Sequence, residues 1–323
     1  VAPDAFKGTF SARAVTEAIS AGLAGADLAS DACPLADGGE GTSEVLLGAL
    51  GGECLEVSVS DPLGRPLDAP LALLGDGRTA VVEVAAASGL ALLGADERDA
   101  AAASTRGTGE LVLAAVATGA RTILVGAGGS ASTDGGLGAI EAIREGGGLR
   151  GARIEVLCDT EEPFELAAAV FAPQKGADTE TVAMLERRLR DLAGALPRDP
   201  RGKPHSGAAG GLAGGLWAAF DATLGSGAMY LLDAVGAPAR AAASRAVVSG
   251  EGRLDGQSVH GKLVGAVAAM CSRIPRPLAV IAGRVELGEQ DRLAAGISWA
   301  TEATTLVAIE GAARRWGSEL RSG

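Results

Sequence analysis

The chain has 323 residues, of which 47% are hydrophobic and 21% charged, and a net charge of −12. Such a chain is globular with a well-buried core, and an acidic protein whose longest basic run is "ERRLR" offers no surface of the kind nucleic acid requires. Aromatics are only 3% against 49 glycines, so the core is built from Ala, Val and Leu, with the close helix-on-strand packing of α/β layers.

The opening "VAPDAFKGTFSA" reads as a short apolar strand running into a turn that holds Asp4 and Lys7. Val1 already falls inside this strand, which implies that native residues precede it; no signal peptide is read. A helix follows over Ala12–Gly25, with Ser11 as its cap. "DACPL" is a second strand, and it too runs into a carboxylate-bearing glycine turn, "ADGGEGT". "GTSEVLLGAL" is a helix closed by Gly51 and Gly52. The texture then changes. Residues 54–85 hold three β-rich runs separated by "DPLGRP" and "GDGR", the pattern of an antiparallel meander.

"TGELVLAAVATG" is a helix, "RTILVGAGG" a buried strand, "GGLGAIEAIREGG" a helix and "ARIEVLCD" another strand. "DTETVAMLERRLRDLAGAL" is an amphipathic helix capped by Asp178. "PRDPRGKPHSG" is a loop with His205 in solvent, and "GGLAGGLWAAF" a tightly packed small-residue helix. Late in the chain "RAVVSGEGRLD", "PLAVIAGRV" and "ISWATEATT" are three strands of parallel type. These three and the first two strands would form one sheet, which makes the middle of the chain an inserted domain.

No apolar stretch approaches a membrane span. The four cysteines (Cys33, Cys54, Cys158, Cys271) are widely spaced, lie in apolar settings and form no CxxC. Buried free thiols in a reducing cytoplasm are the reading.

Ligands of open α/β sheets bind at the carboxyl ends of strands. Five segments share one plan, an apolar strand followed by glycine and polar residues: "APDAFKG", "PLADGGEGT", "ILVGAGGSASTDGG", "VLCDT" and "VVSGEGRLDGQS". Glycine lets backbone N–H groups approach an anion, and carboxylates there can hold Mg²⁺ or take a proton from a hydroxyl. Two near-matches stand beside this. "GQSVHGKL" has Walker A spacing, but Leu263 replaces the hydroxyl residue and the strand ends before the loop begins. "ILVGAGGSA" fits G-x-G-x-x-A with Asp159 ending the next strand, so a nicotinamide-dependent dehydrogenase of a small hydroxy acid is the alternative function. Two histidines are too few for a metal cluster, and no G-x-S-x-G elbow occurs.

"APDAFKGTFSA", "PLADGGEGT", "DPLGR", "AAASGL", "GTGEL", "GAGGSASTDGG", "FAPQKGA", "GAAGGL" and "GEGRLDGQSVHGK" follow one another as in the bacterial glycerate kinases of the first type, which the chain resembles from Val1 to about Lys262. It departs from that pattern at Ala5, Thr133 and Ala172, where the family usually has Ser, Asn and Gly, and in a shortened "CDTEEPF" loop. The resemblance implies ATP- and Mg²⁺-dependent phosphorylation of D-glycerate, to 2-phosphoglycerate rather than 3-phosphoglycerate. It implies a Rossmann-like parallel-sheet domain (1–57 and 238–323), an inserted flavodoxin-like α/β domain (58–237) and an active site in the cleft between them. The enzyme would be cytoplasmic, a monomer or homodimer, with neither nucleic acid nor membrane as partner.

On that resemblance Asp159, Lys7 and Asp37 are catalytic. Asp4, Gly38, Gly39, Glu40, Gly41, Thr42 and Arg253 bind glycerate. Gly128, Gly129, Ser130, Ser132, Asp134, Lys175 and Lys262 bind ATP, and Asp37, Glu251 and Asp255 bind the metal. Lys7 would neutralise the transferring phosphate, and Asp159 would orient or deprotonate the hydroxyl.

Overall fold

The computed structural model describes residues 1–6, 8–259 and 262–322; Lys7 and His260 lie outside them. The chain divides into two compact units, Val1–Asp37 with Ala228–Gly323, and Gly38–Gly227. The joins thus fall inside the "DGGEG" turn and at Gly227, earlier than the 57/58 and 237/238 boundaries read from the change of texture.

The N-terminal piece carries helix α1 (Ala12–Ala24), where Ser11 Oγ accepts the Ala14 N–H at 3.2 Å, as the cap signal predicts. The Gly38–Gly227 unit opens with α2 (Thr42–Leu50) and is built on a six-stranded sheet. In spatial order this runs β1 (Gly52–Ser60), β2 (Pro66–Leu74), β3 (Thr79–Glu83), β4 (Thr122–Gly126), β5 (Arg153–Cys158) and β6 (Thr223–Ser226). The first three strands pair antiparallel, as the turn signals imply, and β3 through β6 pair parallel. Parallel strands need crossovers, and the chain supplies α3 (Val84–Ser88), α4 (Arg106–Ala117), α5 (Leu137–Glu145), α6 (Ala167–Phe171), α7 (Thr179–Ala195) and α8 (Leu212–Phe220). One core packs Leu71, Val82, Ile123, Val125 and Val156 of the sheet against Leu111, Ile143 and Leu216 of the helices. Asp178 caps α7 by accepting the Thr181 N–H at 2.8 Å.

The other unit resumes with α9 (Gly227–Ala234), α10 (Ala237–Ala243), β7 (Val247–Leu254), α11 (Leu263–Arg273), β8 (Leu278–Val285), α12 (Glu289–Ala294), β9 (Ile297–Glu302) and α13 (Leu306–Ser322). Strands β7, β8 and β9 form a parallel three-stranded sheet. The first two apolar runs of the sequence join it as extended segments. Ala2 and Asp4 donate to the Val248 and Gly250 carbonyls at 2.7 and 2.8 Å, and Cys33 and Leu35 donate to Val1 and Pro3 at 2.8 and 2.9 Å. The i, i+2 stepping of both sets is parallel register. Both faces are covered. Val280 and Leu278 pack with Val264 and Val267 of α11, while Val248 and Ile281 pack with Val15 and Ile19 of α1 and Ile309 and Trp316 of α13.

Two expectations change. Strand β7 continues to Leu254, two residues short of Gly256, so strand placement does not separate "GQSVHGKL" from a Walker loop, whereas Leu263 in place of the hydroxyl residue does. Cys54 is exposed while Cys33, Cys158 and Cys271 are buried free thiols, because Cys54 sits on the sheet's edge strand. Burial pushes the Cys271 thiol up to about 11. Among the described residues no helix is long and apolar enough to cross a membrane.

Candidate active site

Strands β3, β4 and β5 run parallel, so the segments that follow Glu83, Gly126 and Cys158 leave one edge of the sheet. The turn Gly38–Gly41 lies across two of these ends. A Cβ on Gly38 would stand 3.1 Å from the Leu157 carbonyl carbon, one on Gly126 would stand 2.8 Å from the Gly38 carbonyl oxygen, and one on Gly128 would stand 2.6 Å from the Gly39 Cα. Backbone therefore meets backbone, and glycine is required on both sides of the contact. The turn is also tied from within. Glu83, the last residue of β3, accepts the N–H groups of Gly41 at 3.2 Å and Ser43 at 2.7 Å. Burial raises its carboxyl above the ordinary range despite these donors. Thr42, itself buried, donates its hydroxyl to the Gly39 carbonyl at 2.7 Å. Glu83 was not singled out in the sequence, although a carboxylate ending an apolar strand was the signal used for its neighbours.

The segment after β4 is pinned along its length. Leu90 donates to the Gly129 carbonyl at 2.8 Å and Ala131 to the Ser88 carbonyl at 2.9 Å. Ser130 and Ser132 pair through their hydroxyls at 2.9 Å. Gly129 is exposed at the crest, whereas residues 130–134 are buried. Asp134 accepts from the Thr105 N–H and hydroxyl at 2.9 and 2.8 Å and from the Gly136 and Gly138 N–H groups at 2.9 and 3.2 Å. It thus anchors the N-termini of α4 and α5 rather than facing outward. Lys175, fully buried, donates to the Ser132 carbonyl from behind the loop, and desolvation lowers it to about 8 although Asp134 opposes the shift. The Thr133 hydroxyl is buried with no hydrogen-bond partner. Helix α5 begins only at Leu137, well past "GAGGSA", so no helix N-terminus stands where a dinucleotide's pyrophosphate would need it.

The segment after β5 begins with Asp159, half-buried. It is held by the loop at 197–207, which packs against it. His205 Nδ1 meets the Thr160 carbonyl at 2.6 Å, the His205 and Gly207 N–H groups donate to Glu161 and Glu162 at 3.1 and 2.8 Å, and Phe164 donates to Ser206 Oγ at 2.8 Å. His205 is therefore half-buried and bonded, not solvated as its Pro/Gly/Lys surroundings suggest.

In the other unit Asp4 and Asp37 are buried at the ends of the two N-terminal extended segments, and Asp4 Oδ1 accepts the Ala5 N–H at 2.7 Å. Glu251 lies within β7. Asp255 Oδ1 accepts from the Gln257 and Ser258 N–H groups at 2.8 and 3.2 Å, shaping the turn after β7. Arg253 is exposed, 3.9 Å from Glu286, and Lys262 stands at the N-cap position of α11 without a side-chain capping bond, its Nζ donating to Gln257 Oε1 at 3.5 Å. Glu40 is exposed. Among the described residues no three Asp, Glu, His or Cys side chains gather as a metal cage, so Asp37, Glu251 and Asp255 do not make one.

Parallel strands ending in glycine segments with carboxylates at their tips are the arrangement at which open α/β sheets take ligands, and comparison with known proteins makes the enzyme's class that of the phosphotransferases. The model of the glycerate kinase family matches residues 1–145 and 144–318. The chain is 39% identical to "Glycerate kinase" of Bacillus subtilis (strain 168) and 36% identical to "Glycerate 2-kinase" of Escherichia coli (strain K12), covering in each case 88% of this chain and 84% of the relative. A crystal structure assigned to glycerate kinase 2 of Salmonella typhimurium LT2 superposes with a TM-score of 0.83 at 33% identity, over 100% of this chain and 97% of that one. The chain belongs to the glycerate kinase family. That assignment sets aside the dehydrogenase reading of "GAGGSA".

Proposed function

We propose that the enzyme transfers the γ-phosphoryl group of MgATP to the 2-hydroxyl of D-glycerate. The observation that carries this is the seating of the "DGGEG" turn, glycine on glycine, against the ends of β4 and β5. It brings the glycine segment after β4, the 38–41 turn and the end of β5 that precedes Asp159 together at one end of the sheet, which supports the reading. Phosphoryl transfer asks mainly for positioning and charge neutralisation, and such an end supplies both.

In this reading the backbone of Gly128–Ser130 faces the phosphates, and Lys175 props that loop from behind. Lys7, outside the described residues, neutralises the transferring group. Glycerate is held from Asp4, the 38–42 turn and Arg253. Asp159 takes the hydroxyl proton as the oxygen bonds to Pγ and the Pγ–O bond to the ADP leaving group breaks. Magnesium arrives with the nucleotide. One or two carboxylates plus phosphate oxygens suffice for it, which suits Asp37 and Glu251 and leaves Asp255 to its turn. The Val1–Asp37 and Ala228–Gly323 unit is the Rossmann-like domain of this reading and the other unit the flavodoxin-like one. The 2-position is favoured by the name of the Escherichia coli relative.

Incubation with MgATP and D-glycerate should release ADP, with no reduction of NAD⁺, and ³¹P–¹H correlation of the product should couple phosphorus to the C2 proton. Coupling to the C3 protons would overturn the position, and absence of glycerate-dependent ADP would overturn the activity.

A further inference from the structure

We propose that His205 is a positioning residue for phosphoryl transfer, latching the Thr160–Glu161 peptide, one residue beyond Asp159, through its bond to the Thr160 carbonyl. The inference rests on the reading that Asp159 meets the glycerate hydroxyl.

The backbone of His205 is left-handed, φ +70°, a conformation in which a Cβ is unfavourable and glycine is relaxed. Its neighbour Gly207 cannot carry a Cβ, since one would stand 2.6 Å from the Pro163 carbonyl oxygen. At position 205 the chain keeps an imidazole in this left-handed conformation. What the imidazole gains is the 2.6 Å contact with the Thr160 carbonyl. A carbonyl only accepts, so Nδ1 carries the proton, whether the ring is neutral or charged. This bond is one of two made by side chains of the 197–207 loop to the segment after β5. The backbone bonds from His205 to Glu161 and from Gly207 to Glu162, and the bond from Phe164 to the buried Ser206, fix residues 161–164. Of these bonds, the ring's is the one that reaches Thr160, the residue joined to Asp159. Thr160 Oγ1 in turn accepts the Glu162 N–H at 3.3 Å. The ring therefore fixes the Thr160–Glu161 peptide and with it Thr160, the residue that carries Asp159, and a carboxylate displaced by about 1 Å loses up to 10²-fold in rate.

The test uses full-length enzyme and steady-state kinetics. His205→Gly removes the ring and relaxes the backbone. It should lower kcat about tenfold with the KM for ATP unchanged, and should move Tm by no more than about 2 °C. His205→Asn, whose Nδ2 stands where Nδ1 does and whose backbone tolerates the left-handed region, should recover most of the rate. In an Asp159→Asn background, His205→Gly should slow the enzyme by less than about twofold, because residues acting through one another are not additive. Wild-type kcat in His205→Gly, alongside a slow Asp159→Asn, would overturn the latch alone. Failure of Asn to restore the rate, or a full multiplicative loss in the double variant, would also overturn it. Wild-type rates in Asp159→Asn would overturn the reading on which the latch rests.

Discussion

Lys175 puts an ammonium group where water does not reach, with the Ser132 carbonyl as acceptor and Asp134 nearby. The sequence marked this lysine through "PQKGA" as a phosphate contact, and its chemistry is that of a prop beneath the loop. Burial lowers its pKa from 10.5 to about 8, so between those values the unfolded chain holds a proton that the folded chain has released. Stability then rises with pH across the window 8 to 10.5, by at most about 3 kcal/mol, and below pH 8 the buried charge is a standing cost. Lys175→Met removes this titration. Urea midpoints measured at pH 7 and pH 9.5 should rise for the wild type relative to the variant. Parallel pH profiles for the two proteins would mean that the ammonium is hydrated and the burial account is wrong.

Between residue and domain, the decisive elements are turns laid on strand ends. Gly128→Ala would drive a Cβ to 2.6 Å from the Gly39 Cα, and backbone cannot swing aside as a side chain can. The expected cost is about 1–3 kcal/mol of stability and on the order of 10²-fold in kcat/KM, from a turn displaced off the site. Gly48→Ala is the control: Gly48 lies inside α2 with open space around its Cα, and the change should stabilise by up to about 1 kcal/mol. Equal behaviour of the two variants in thermal melts and kinetics would remove the contact as an explanation. The turns themselves were legible, because glycine beside a carboxylate after an apolar run is a local signal. So were the caps Ser11 and Asp178 and the meander of β1 to β3. Helices α3, α6 and α9 to α13 were not read. Glu83 was missed because its partners, Gly41 and Ser43, lie some forty residues away in sequence. His205 was misplaced because a Pro/Gly loop carries no mark of the strand end it folds against.

At the scale of the molecule, the insertion is cleaner than the sequence suggested. A boundary guessed from texture falls where strands change character, at 57/58, but a domain ends where contacts stop crossing. Here that is Gly38, whose Cβ would stand 2.8 Å from the Gly227 Cα. Entry to and exit from the inserted unit therefore touch. Each core cluster described above also lies within a single unit. A contiguous segment with its own sheet, its own core and adjacent ends is large enough to bury the apolar surface that folding requires. The fragment Gly38–Gly227, expressed alone, should give an α/β circular dichroism spectrum and one cooperative urea transition, seen at the same midpoint by far-UV signal and by Trp217 fluorescence. The fragment Val1–Asp37 should be unfolded, since its extended segments have no sheet to join once β7 is gone. Non-coincident transitions, or binding of a hydrophobic dye by the Gly38–Gly227 fragment, would show instead that the inserted unit borrows its stability from the remainder of the chain.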